Sequence, residues 1–268
     1  MSPLMFNRKP SPAAGYVWLV GAGPGAVDLI TMRGRKALSQ ADVVLHDDLA
    51  NPELLQICPA GCEFLYVGKR AGQHSAPQDE INRLLVAHAR AGRRVVRLKG
   101  GDPTVFGRLG EELQALRSAG IAFEVVPGVT AACAAAAAAG VSLTQRGLAS
   151  AAVFVTGHEC AGKAGPALDR EALAQPGATL CVYMGTRSLG ALAAQLLAGG
   201  HAPDTPLLIV SHASLPSQTI RTGTLESAGE LACDITDTPA LIIIGAVTAP
   251  NRAISPGQSR LQEPAHAG

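Results

Sequence analysis

Short apolar runs that stop at a glycine or proline, with amphipathic stretches between them, recur along this chain, and alternating strand–helix folds accommodate that pattern. The run 17–20 ends at Gly21, and the run 43–45 follows a helix expected over about 31–39. Ile81, Leu84, Leu85 and Ala89 share one helical face, with Pro77 suited to the first turn and Gly92 to the position after the last. The run 95–98 then reads as the third strand. Leu109, Leu113 and Leu116 mark a further helix ended by Gly120, ahead of a strand at 121–126 and the break at Pro127-Gly128. Strands separated by helices pair in parallel, so a buried parallel sheet is predicted.

The alanine-rich stretch 131–139 predicts a helix of little side-chain bulk, able to pack closely against a neighbour or a ligand. Beyond it, strands are expected at 153–156, 180–184, 207–210 and 241–244, with a helix at 189–197. The segment 220–222 before Gly223 is a candidate antiparallel strand, which would make this half mixed α/β. A chain of 268 residues can form two modest α/β domains, each with its own core. The expected boundaries are a loose extension over 1–15, an N-terminal domain over 16–128, a C-terminal domain over 129–249 and a disordered tail over 250–268.

With 47% hydrophobic and 16% charged residues, 30 glycines and 18 prolines, the composition is that of a packed protein rich in turns. A net charge of +1 supplies no global field for nucleic acid or an anionic membrane, so neither is an expected partner and acidic substrates must be met locally. The longest apolar run, 131–139, is far short of the roughly 20 residues a membrane span requires. Six cysteines are scattered, and the one close pair, Cys58 and Cys62, lacks a second pair or clustered histidines. No metal site is expected; reduced thiols of a cytoplasmic protein fit better.

The turn Gly21-Ala22-Gly23-Pro24-Gly25-Ala26 directly follows the first strand and fits the relaxed dinucleotide fingerprint, and Asp47 or Asp48 stands where a ribose hydroxyl would be held. Pro24 removes an amide from the cradle a pyrophosphate needs, so the turn suits an uncharged or cationic ligand better. The run from Lys99 through Gly100, Gly101, Asp102, Pro103 and Val105 to Arg108 follows the strand 95–98. Its glycines permit close approach of a ligand, Asp102 offers an acceptor, and Pro103 stiffens the exit. On these residues alone an NAD-dependent oxidoreductase and a non-catalytic ligand-binding module both stay open.

Taken in order, the motifs resemble one family. The Gly21 turn is followed by Asp47, by Val67-Gly68-Lys69-Arg70-Ala71-Gly72 with Pro77-Gln78, and by Leu98-Lys99-Gly100-Gly101-Asp102-Pro103 running on to Gly107-Arg108 and Glu111-Glu112. Val126-Pro127-Gly128-Val129-Thr130-Ala131, Thr144 with Arg146, Thr156-Gly157-His158, Tyr183-Met184-Gly185 and Pro239-Ala240-Leu241 complete the set. The series, over about residues 17–247, resembles the uroporphyrinogen-III C-methyltransferases of the tetrapyrrole methylase family. A methylase of this fold acting on a later precorrin, or on a protein substrate such as a diphthine precursor, is the near alternative.

The resemblance implies two α/β domains with S-adenosylmethionine bound in the cleft between them, and a homodimer. It implies cofactor contacts at Pro24, Gly100, Gly101, Asp102, Val105, Thr130, Ala131, Met184, Ala213 and Ala240. Asp47 and Lys69 would handle protons, Arg108 and Glu111 would sit near the macrocycle, and Arg70, Arg108 and Arg146 would meet substrate carboxylates. Methylation at carbons 2 and 7 of uroporphyrinogen III would give precorrin-2 by way of precorrin-1, with S-adenosylhomocysteine released each time. The chain departs from the family at His212-Ala213-Ser214, where an Asn-Gly-Thr-like turn is usual, and at Ala26-Val27-Asp28. Each residue also has a plain structural reading: Asp47 as a cap, Lys69 and Arg70 as solvated charges, Arg108 with Glu111 as an i,i+3 helix pair, Met184 as core.

Overall fold

The computed structural model describes residues 15–68, 77–157, 177–233, 235 and 239–249. Five strands, β1 (Tyr16–Gly21), β2 (Val43–His46), β3 (Glu63–Tyr66), β4 (Arg94–Lys99) and β5 (Ala122–Val126), form an all-parallel sheet in the order β3-β2-β4-β1-β5. Helices α1 (Met32–Leu38), α2 (Gln78–Arg90) and α3 (Leu109–Ser118) cover it on both faces. Val17 and Leu19 of β1 pack with Ile81, Leu85 and Leu116 on one face, and Val20 packs with Leu38 and Leu54 on the other. Burial on both faces explains why these strands are apolar runs rather than alternating ones. Helix α1 starts where it does because the Thr31 hydroxyl accepts the Gly34 amide at 3.1 Å.

The strand over 95–98 is the fourth in the chain, not the third. The one overlooked, β3, lies at the sheet edge with Glu63 and Phe64 exposed and Leu65 and Tyr66 half-buried. The signal was present all the same, since the run Phe64-Leu65-Tyr66-Val67 stops at Gly68 as the other strand runs stop at glycine or proline.

The second sheet comprises β6 (Ala151–Thr156), β7 (Ala178–Tyr183), β8 (Pro206–Ser211), β9 (Thr219–Thr224) and β10 (Ala240–Ile244), in the order β6-β7-β10-β8-β9. Strands β6 and β7 are parallel; β10 runs antiparallel to β7 and β8, and β9 antiparallel to β8, as expected for 220–222. Helix α4 (Ala131–Ala139) lays Ala132, Ala135 and Ala136 on Cys181, Leu208, Leu241 and Ile243. On the other face Leu189, Leu192 and Leu196 of α5 (Leu189–Ala198) and Ala228 of α6 (Ala228–Ala232) meet Val182, Leu207 and Ile244. Each buried leucine contributes about 1.5–3 kcal/mol.

Among the described residues no helix is long and apolar enough to cross a membrane, and no group of three or more His, Cys, Asp or Glu residues could hold a metal ion. The described cysteines are free thiols, with burial pushing Cys58 and Cys181 up to about 12.

Candidate active site

Because the first sheet is all parallel, its carboxyl ends share one edge, and three of its loops meet there by backbone alone. The Ala22 amide donates to the Lys99 carbonyl at 2.7 Å, and Gly23 and Gly101 exchange two amide–carbonyl bonds of 3.2 and 2.7 Å. A Cβ on Gly128 would lie 2.2 Å from the Gly101 oxygen, and one on Gly21 would lie 2.6 Å from that same oxygen. Only hydrogen fits at this crossing. The loop after β2 presses in beside it, since a Cβ on Gly100 would lie 2.4 Å from that of Leu49.

Asp102 ties the crossing together. One carboxylate oxygen accepts the Thr104 amide at 2.7 Å, and the other accepts the Gly128 amide at 2.9 Å. Val105 donates its amide to the Asp102 carbonyl at 3.2 Å, closing the turn. At Asp47, one oxygen accepts the Leu49 amide at 3.2 Å and the other accepts from Arg97 Nη2 at 3.0 Å.

The second sheet brings a matching edge. The register pairs Ala240 with Ser211 and Leu241 with Tyr183, so Met184, Ala213 and Ala240 lie at one end of the adjacent strands β7, β10 and β8. This edge joins the first through side chains. The Tyr183 hydroxyl bonds the Thr130 hydroxyl at 2.7 Å and accepts the Ala132 amide at 3.2 Å, and Ser214 Oγ accepts the Ala26 amide at 3.0 Å. Burial pushes the Tyr183 hydroxyl above its usual pKa, and the bonds from Thr130 and Ala132 oppose that shift. The Phe106 and Phe154 rings lie 4.9 and 5.6 Å from that of Tyr183. Thus the Pro24 turn, Gly100 to Val105, Thr130, Ala131, Met184 and Ala213 are brought into one neighbourhood.

Met184 is 59% exposed, which removes its reading as a core residue. Left-handed backbone at non-glycine residues, among those described, falls on Phe106, Arg108, Met184, His212 and Ser214, all in these loops. Such strain persists only where the surroundings impose it. The departure at 212–214 is accommodated because the positive φ values, 50° and 73°, fall on His212 and Ser214 rather than on Ala213. Arg108 and Glu111 form a bidentate, exposed pair with both bonds at 2.8 Å at the start of α3. Arg146 is exposed in the turn closed by the bonds between Gln145 and Ala149. Lys69, Arg70 and His158 lie outside the described residues.

Sequence reasoning missed Tyr183 and a buried charge cluster. Lys99 Nζ reaches Glu112 at 2.8 and 2.9 Å and Arg97 Nε reaches it at 3.2 Å, with all three residues buried. Burial pulls the Lys99 ammonium below its usual pKa; Glu112 pulls it back up. A signal existed: Arg97 and Lys99 stand two apart on a buried strand, hence on one face, and two buried cations require an anion.

The geometry also discriminates between ligands. Of residues 22–26, Ala22, Gly23 and Ala26 spend their amides on protein acceptors and Pro24 has none. That leaves only the Gly25 amide of the turn for a pyrophosphate, where a cradle needs several. A depression between α2 and α3, lined by Asp79, Asn82, Arg83, Val86 and Arg90, touches none of the candidate residues.

The family model for Tetrapyrrole (Corrin/Porphyrin) Methylases matches residues 16–229. The chain belongs to the tetrapyrrole methylases. This methylase is 50% identical over 240 residues to a siroheme synthase of Zymomonas mobilis, covering 90% of this chain and 50% of that protein. It spans about half the length of the curated relatives it matches. Among solved structures it resembles the uroporphyrin-III C-methyl transferase of Thermus thermophilus complexed with S-adenyl homocysteine, at 42% identity and a TM-score of 0.73, covering 87% of this chain and 98% of that one. A cobalt precorrin-4 methyltransferase of cobalamin biosynthesis matches at 30% identity and a TM-score of 0.80, covering 90% of this chain and 99% of the other.

Proposed function

We propose that this methylase transfers methyl groups from S-adenosylmethionine to carbons 2 and 7 of uroporphyrinogen III, giving precorrin-2 by way of precorrin-1, and that it acts as a cytoplasmic homodimer. The observation that carries this reading is the meeting of the Pro24 turn, the Gly100-Gly101-Asp102 loop and Thr130-Ala131 with the Tyr183–Met184 edge. S-adenosylmethionine supplies an electrophilic methyl group on a sulfonium, so the protein has mainly to align it with a pyrrole carbon and assist proton loss.

The residues present fit that group. A Cβ placed on Gly101 would come no closer than 3.9 Å to the Ala131 nitrogen and Thr130 Cα, which leaves room between the two loops. A turn in which Ala22, Gly23 and Ala26 spend their amides on protein acceptors and Pro24 has none, bordered by carbonyls and the Asp102 carboxylate, suits a cation better than a phosphate. Pro24, Gly100, Gly101, Asp102, Val105, Thr130, Ala131, Met184, Ala213 and Ala240 would border it. Asp47 accepts the proton and Lys69 donates one. Arg70, Arg108 and Arg146 hold carboxylates of the eight-fold acidic ring, and Glu111 orients Arg108 through their paired bonds.

Incubation with uroporphyrinogen III and methyl-labelled S-adenosylmethionine, followed by mass spectrometry, tests the reading. Two labelled methyl groups per macrocycle are expected. Labelling absent from uroporphyrinogen but present on a later precorrin would move the substrate, and thermal protection by NADH but not S-adenosylhomocysteine would overturn the methyltransferase site altogether.

A further inference from the structure

Glu112 is a carboxylate with no exposed surface, and binding of cofactor or macrocycle does not explain its burial. Its Oε1 accepts from Arg97 Nε at 3.2 Å and from Lys99 Nζ at 2.8 Å, and Gln78 Nε2 of α2 approaches at 3.4 Å. Arg97 carries the contact outward. With Nε on Glu112, its Nη1 donates to the Leu98 carbonyl at 3.0 Å and its Nη2 to Asp47 at 3.0 Å. The rigid guanidinium fork is thereby fixed on three sides, and one oxygen of Asp47 is fixed with it. The Leu49 amide holds the other oxygen, while the Asp47 side chain remains 24% exposed.

Such a cluster is a poor route to stability. Desolvating three charges costs about as much as their attraction returns, and apolar side chains of similar volume commonly do as well or better. What the ions supply is direction. Lys99 in addition closes β4 immediately before Gly100, so the same carboxylate anchors the root of the ligand loop.

We propose that Glu112 is a positioning residue of the methyl-transfer site, acting through Arg97 to set the orientation of the Asp47 carboxylate. The inference rests on Asp47 taking part in the reaction as proposed above. It does not require Glu112 to touch either substrate.

Two variants test it. Glu112→Gln keeps an acceptor but removes the charge, and Lys99→Met/Glu112→Leu replaces the buried pair by apolar side chains should the single change unfold the chain. Turnover of uroporphyrinogen III by the parent enzyme is the reference, and its absence would sink the functional reading and this inference together. The double variant leaves Arg97 Nε without its Glu112 acceptor while Asp47 and the Leu98 carbonyl still hold the Nη atoms, so it is expected to melt below the parent but to unfold cooperatively. Its kcat should fall about tenfold to a hundredfold, with KM for uroporphyrinogen changed less than about threefold. Combined with Asp47→Asn, the same substitutions should cost less than about twofold beyond Asp47→Asn alone, because residues that act as a unit are not additive.

Parental kcat in the folded double variant while Asp47→Asn is impaired would overturn the inference alone, as would losses that simply multiply. Parental kcat in Asp47→Asn would remove the role of Asp47 and the inference with it. Unfolding of both Glu112 variants would make the cluster structural and reject the positioning role.

Discussion

Where the two sheets meet, the first presents a backbone crossing tied by one carboxylate, and the second sets side chains around a glycine contact of its own, in which a Cβ on Gly157 would lie 2.3 Å from Gly185 Cα. Gly21, Gly101 and Gly128 cross in contact on one side, whereas Tyr183 and Ser214 reach over from the other, to Phe106 and Ala26. The first edge is tight at Gly21 and Gly128, where an added Cβ would meet the Gly101 oxygen. The second is adjustable, because each contact depends on a side-chain atom that can be shortened. Insertion should therefore do the greater damage at a glycine crossing, and removal the greater damage where a side chain makes the join.

The strongest attempt to break that contrast is Gly128→Ala. Its new methyl would meet the Gly101 oxygen at 2.2 Å, against backbone held by the Gly23–Gly101 pair. A loss of about 3 kcal/mol or more and the disappearance of turnover are expected; thermal unfolding at the parental midpoint would refute the tight crossing. Next is Asp102→Ala, which strips the acceptors from the Thr104 and Gly128 amides without adding bulk. Affinity for S-adenosylhomocysteine should fall about tenfold to a hundredfold by calorimetry, roughly 1.4–2.8 kcal/mol. On the adjustable side, Tyr183→Phe removes the bonds to Thr130 and Ala132 and keeps the ring against Phe106. About 1 kcal/mol of stability should go, with a raised KM for S-adenosylmethionine and a nearly unchanged kcat.

The smallest effect has the opposite sign. Gly190, exposed in α5, would place a Cβ in ordinary contact at 3.6 Å from Gly229 Cα. Gly190→Ala should stabilise by about 0.5 kcal/mol in denaturant unfolding, through better helix propensity. Destabilisation there would show that Gly190 is constrained in the way that Gly128 and Gly157 are.

Much of the first half was legible because burial on both strand faces makes apolar runs, and because the turns that end β1, β4 and β5 carry glycine or proline in the chain itself. The loop at Lys99-Gly100-Gly101-Asp102 could be placed at a strand end for that reason. What could not be read is the close pairing of distant loops. Gly21 and Gly128 look like ordinary turn residues until their backbones are seen in contact. Glu112 sits in an amphipathic helix where a glutamate is normally solvated, so its burial depends on Arg97 and Lys99 arriving from another element. Tyr183 ends an apolar strand, and its hydroxyl gains a function only from Thr130 and Ala132, some fifty residues away in sequence. Helix α6, five residues long, is too short to show a period.

The backbone at Phe106, Arg108, Met184, His212 and Ser214 has a consequence for anyone engineering this enzyme. Each of those L-residues is held where glycine would sit more comfortably, at a cost of about 1–2 kcal/mol apiece. A glycine at any of these five positions would relieve that strain and remove a side chain from the loops that the proposed function assigns to the ligands. Under the proposed function, robustness and turnover are set against each other at these addresses, and a thermostable catalyst is better sought by leaving these five alone and improving helices far from them.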